Sequence, residues 1–107
     1  MGVEREDYLM YGVDLGYEAF DWDKHEAERD GAPNRRFDIV ADGMSGKYCI
    51  AGKIIAKSDG YDGIGMNTID PDHLGVDRAA LARVVSEAFG KPVDTDDLKL
   101  ILFSHFH

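Results

Sequence analysis

Four groups of residues have the types and spacing that chemistry needs. Asp21, Asp23 and His25 fall at i, i+2 and i+4. They resemble metal ligands on paper, but residues two apart do not share a helical face. A solvated acidic surface is the preferred reading there. His105 and His107 stand two apart near the end of the chain. On a strand they point the same way and could pinch zinc. A third ligand, from His73 or an acid, would still be needed. The loop Asp59-Gly60-Tyr61-Asp62-Gly63-Ile64-Gly65 could cradle a phosphate or calcium. It lacks the Gly-Lys-Ser/Thr ending of a phosphate loop and the regular carboxylate ladder of a calcium loop. Its glycines are better read as turn residues. Cys49, Ser45, Ser58 and Ser104 are nucleophiles by type, yet no motif places a base beside any of them. His105 could approach Cys49 only if both lie on one sheet face. No catalytic residue, metal or cofactor is assigned on these grounds, and the chain is read as a non-enzyme.

Charge is more informative. The chain carries 21 acidic and 12 basic residues, a net charge of −9. Residues 1–30 hold ten of the acids and three of the bases, whereas the remaining 77 residues are nearly balanced. An acidic first third repels nucleic acid and attracts basic protein surfaces. Glu4, Glu6, Asp7, Glu18, Asp21, Asp23, Glu26 and Glu28 are therefore the candidate partner-binding residues. The expected partner is a basic host protein, one that itself handles nucleic acid. Direct nucleic-acid binding and membrane association are not expected. No apolar run reaches the length of a membrane span, and the acidic beginning is unlike a signal peptide. A cytoplasmic location follows as an expectation. The lone Cys49 gives no disulfide framework and reads as a buried or half-buried thiol.

The elements that must position these residues follow from periodicity. Leu9, Tyr11, Val13 and Leu15 alternate as a strand that Gly16 ends. Residues 17–30 read as a short, highly charged helix with a thin apolar stripe. Residues 37–41 and 47–57 flank a glycine-bearing turn and read as a hairpin. Asp77 caps a helix over 77–89 whose stripe is Leu81, Val84, Val85, Ala88 and Phe89, with Gly90 as its stop. Residues 98–105 form a last strand.

The order strand, helix, strand, strand, helix, strand predicts one α+β domain over 1–107. Its topology would be βαββαβ, ferredoxin-like, a four-stranded antiparallel sheet with both helices on one face. The alternative is an irregular meander in which 17–36 is an excursion. Under the first topology the other face is open, and alternation assigns to it Tyr8, Met10, Val40, Cys49, Ile55, Ile101 and Phe103. Tyr8, Met10, Ile55, Ile101 and Phe103 are then candidates for a sheet-face interface, including a homodimer. Burial of that face by the loops 17–36 and 58–76 is the competing reading. Tyr8 and Phe103, with Lys47, Lys53 and Lys57 nearby, also fit an RNA-binding sheet, but the acidic first third argues against it.

The runs YLMYGVDLGY (8–17), DGMSGKYCIAGKIIAKSD (42–59) and LFSHFH (102–107) resemble a group of small uncharacterised proteins encoded in bacteriophages and prophages. What the resemblance implies is a setting. Small acidic phage proteins of this kind are accessory factors, including inhibitors of host defence such as anti-CRISPR proteins. Three functions follow as expectations: a charge-mimicking binding protein, a structural homodimer, or a ligand- or metal-binding domain using the 58–66 loop and the C-terminal histidines.

Overall fold

The computed structural model describes residues 4–25, 28, 33, 35–59, 66, 68–70 and 74–106. The fold is α+β. Four strands, β1 (Arg5–Asp14), β2 (Asp38–Ala41), β3 (Cys49–Asp59) and β4 (Lys99–Phe106), form one antiparallel sheet in the order β2-β3-β1-β4. Two helices accompany it, α1 (Trp22–His25) and α2 (Arg78–Phe89).

The hairpin, the capped second helix and the last strand stand where periodicity places them. The Asp77 side chain accepts from the Ala80 N–H, and Gly90 closes α2 with φ 63°. That left-handed position favours glycine. Leu81 and Val85 bury against Ile39, Cys49, Ala51 and Tyr11, with Phe37, Val93 and Leu98 completing the cluster. The helix expected over 17–30 is different. A 3-10 turn at Tyr17–Ala19 and the single helical turn α1 replace it over the described residues. Its apolar stripe is too thin for packing to offset the cost of holding a longer helix.

The expected open face is not open. Tyr8 is 1% and Met10 0% exposed, and Val40 and Ile50 are buried with them. The sheet closes this face on itself. Tyr48 at the foot of β3 and His105 near the end of β4 belong to opposite corners of the sheet. Yet the Tyr48 hydroxyl lies 2.7 Å from His105 Nδ1, and its ring lies edge-on to Phe103 at 5.4 Å. Only a strongly coiled sheet brings these corners together.

Two sequence features allow the coil. Gly12 and Gly52 pair directly at the centre of the sheet, on the strand positions that carry Met10, Ile50 and Ile54. Neither places a side chain on the concave face. An added Cβ at Gly52 would lie 2.5 Å from Gly12 Cα, so the backbones approach as only glycines permit. The ladder between β1 and β3 also shifts register between Leu9 and Met10. Such a bulge sharpens the twist.

The pairing register corrects two residue assignments. Val13 pairs with Ala51, which puts Ala51 and, by alternation with it, Cys49 and Ile55 on the helix side. Pairing steps from Met10↔Ile54 to Leu9↔Ala56, which leaves Ile55 as the extra residue. Ile54 packs with Tyr8 and Met10, whereas Ile55 joins the helix-side core. Cys49 also lies on the helix side. Cys49 and Ile55 share one face of β3, as alternation requires, but it is the helix side and not the face of Tyr8 and Met10, so His105 cannot reach Cys49.

Candidate functional site

The turn after β2 builds one wall of the site. Asp42 Oδ1 accepts from the Met44 and Ser45 N–H groups, and Oδ2 accepts from the Lys47 N–H at 3.1 Å. These bonds close the hairpin and deliver Tyr48 to the concave face. Burial alone would raise the Asp42 pKa. The bonds from Ser45, Lys47 and Met44, with the nearby charge of His105, outweigh burial and hold the carboxyl below its ordinary value. Burial, with the Asp42 charge second, pushes the Tyr48 phenol up to about 12. It keeps its proton at neutral pH and is hydrogen-bonded to His105 Nδ1.

The second wall comes from β1 and β4. Alternation puts Glu6 and Tyr8 beside His105 and Phe103 across the ladder. Tyr8 and Phe103 stack at 5.3 Å, with 11° between their planes. Lys57 lies 3.2 Å from Glu6 Oε2, and its ammonium stands 5.6 Å from the Tyr8 ring centroid.

The third wall is the connection after β1. Gly16, at φ 83°, turns the chain out of the strand. Asp14 Oδ1 fixes that exit by accepting from the N–H groups of both Gly16 and Cys49. Beyond it Tyr17, Phe20 and Trp22 form a chain of aromatic contacts, at 6.3 Å and 4.9 Å between centroids. His25 anchors the far end. Its Nδ1 accepts from the Asp21 N–H at 3.0 Å, and its Nε2 N–H donates to Ala88 O at 2.8 Å. The ring packs 4.1 Å from that of Phe89. Both nitrogens are committed, so His25 is a buried tie between α1 and α2 and not a metal ligand. Asp21 caps the same turn, accepting from the Asp23 N–H.

Between these walls is a pocket of 440 Å³, within the size range of small-ligand sites. Glu6, Tyr8 and His105 line one side, Tyr17, Phe20 and Trp22 another, and Val40 and Met44 the edge beside β2. Trp22 is 51% exposed and Met44 is exposed with it.

The candidate partner-binding acids divide. Glu28 is buried and held by Arg36 at 2.6 Å, which withdraws it from any partner. Glu6 pairs with Lys57, and Asp7 with Arg5 and Ser104. Glu4, Glu18, Asp21 and Asp23 are exposed, the last three on the connection that carries Trp22. Of the sheet-face candidates, Tyr8 and Met10 are buried and Ile55 lies on the other side. Ile101 and Phe103 are half-buried against the concave cluster. Glu26, His73, His107 and residues 60–65 of the glycine-rich loop lie outside the described residues.

Among the described residues no three His, Cys, Asp or Glu side chains are grouped to hold a metal ion. Burial, followed by the charge of Asp14, pushes the Cys49 thiol up to about 12. A buried neutral thiol is unreactive. No described helix is long and apolar enough to cross a membrane. No family model matches the chain, and neither the curated proteins nor the solved structures give a match.

Sequence reading missed Tyr48, Asp42 and the aromatic trio as one site. Alternation does place Tyr48 with Ile50 and Ile54, and that was the available signal. What Tyr48 meets depends on the coil.

Proposed function

We propose that this chain is a small acidic binding protein that docks on a basic partner, in line with a phage-type accessory role. The observation that carries the reading is Asp21-Trp22-Asp23, a half-exposed tryptophan between exposed carboxylates at the mouth of an aromatic pocket. Aromatic anchors with charged rims are where binding energy concentrates, and acidic rims speed encounter with basic surfaces. Inhibition of a host nucleic-acid-handling or defence protein through charge mimicry is the setting that the phage resemblance suggests. The βαββαβ order, with β4-β1-β3-β2 as neighbours, supports a ferredoxin-like domain whose first helix is cut to one turn.

The test is capture of host proteins on immobilised chain at low and at high salt, with the Asp21→Lys/Asp23→Lys variant in parallel. A basic protein retained at low salt, released by salt and lost with the variant supports the reading. Equal capture by the variant, or no basic protein at low salt, overturns it.

A second reading has its own observation. A helix with its side chains is about 10 Å across and strands lie about 4.8 Å apart, so α2 covers roughly two strands. On the uncovered part of that side, β4 exposes Leu100, Leu102 and Phe106, with Leu102 at 75%. This edge strand has no proline, acid or bulge to block pairing. It supports a homodimer through β4 in place of the sheet-face dimer expected from alternation. Light scattering decides: this dimer strengthens with salt, because salt screens two copies of charge −9, and Leu102→Lys abolishes it. A monomer at all salt concentrations removes it.

A further inference from the structure

We infer that the 440 Å³ pocket receives a single arginine side chain of the partner, its guanidinium held against the aromatic wall. The inference rests on the proposed docking surface and names what enters it. Three features of the pocket favour a planar cation over an apolar or anionic group.

The first is the wall itself. Tyr17, Phe20 and Trp22 present ring surface from one short connection, with Phe20 and Trp22 edge to face at 75°. Aromatic faces attract cations, and a guanidinium stacks on them while staying partly hydrated. The second is charge. Glu6 is one of the lining residues, and Glu18, Asp21 and Asp23 are exposed next in the chain to the lining residues Tyr17 and Trp22. Lys57 offsets Glu6 on its side, so the excess of negative charge comes from the three exposed carboxylates of the connection 17–23. The third is that the chain already stabilises a cation at this place. The Lys57 ammonium sits between the Glu6 carboxylate and the Tyr8 ring. The incoming arginine takes the other wall and shares the field of Glu6. The His105–Tyr48 bond at the base keeps the coiled sheet closed, so the pocket is formed before a ligand arrives.

Trp22 is the only tryptophan of the chain, so its fluorescence reports on this wall alone. The probe is N-acetyl-arginine methylamide, titrated at low salt into the full chain. The matching citrulline compound is the control, with the same shape and no charge. Saturable change with arginine is expected, about tenfold weaker with citrulline. Glu6→Gln should weaken arginine binding about threefold, and Lys57→Met should tighten it by a similar factor, since each shifts one charge beside the site. Both partners are surface groups whose pair contributes little to folding.

No saturable change with arginine, equal binding of citrulline, or insensitivity to both variants overturns the inference. Those results leave the docking surface standing if a basic protein is still captured and lost with Asp21→Lys/Asp23→Lys. Arginine binding without any captured basic protein would overturn the docking reading while the pocket stands.

Discussion

Replacing Gly12 by alanine puts a methyl group where the coiled sheet has no room. The added carbon would lie 2.9 Å from Ala51 C and closer still to Ala51 O, both backbone atoms of the paired strand. Neither can move without displacing the centre of the β1–β3 ladder. Overpacking of a rigid site costs about 3 kcal/mol, a large share of the roughly 5–15 kcal/mol that holds a domain folded. At about 4–8 °C per kcal/mol for a domain near this size, Tm falls by about 12–24 °C. In urea, with a slope of about 1–3 kcal/mol per molar, the midpoint falls by about 1–3 M. Flattening the coil would also separate Tyr48 from His105, so Trp22 emission and near-ultraviolet circular dichroism change even in the folded variant. Gly43→Ala is the control: it has nothing within 4 Å of its added carbon, and its effect should lie within about 0.5 kcal/mol. Gly12→Ala with the stability and spectra of the parent would refute the claim that the glycine pair permits the coil.

Other outcomes follow from the same geometry. His25→Phe leaves the Asp21 N–H and Ala88 carbonyl unpaired, so stability drops by about 1–3 kcal/mol by urea titration. The Asp42 carboxyl is held below its unfolded value, so its stabilisation is present above that value and fades as pH falls through the folded one. Asp42→Asn should flatten this acid limb of the stability curve. Cys49 and Tyr48 shift upward, so their contributions are intact below about 9.0 and 10.0 respectively and are lost as pH rises towards about 12. Stability measured against pH should therefore fall on the alkaline side, and Tyr48→Phe should make the fall above 10.0 shallower, leaving the Cys49 share. In native buffer a thiol reagent should label Cys49 only as fast as the chain opens, and at once in denaturant.

Much of the secondary structure was legible in local spacing. The stripe of α2, its Asp77 cap and Gly90 stop, and the hairpin turn around Asp42 all act between residues a few positions apart. Periodicity sees such relations directly. The acids near the chain's start were legible as charge but not as surface. Glu28 is buried because Arg36 stands beside it, and Glu6 pairs with Lys57 across the sheet. Pairings over such distances leave no trace in local composition.

By itself, then, the sequence determined which segments are strands, where α2 begins and ends, and that the first third of the chain is acidic. Tertiary structure alone decided which face is open. Alternation describes a flat strand, and one extra residue at Ile55 with two facing glycines bends this sheet until opposite corners touch. That curvature buries Tyr8 and Met10, joins Tyr48 to His105 and makes the pocket, because sheet shape depends on contacts between strands distant along the chain.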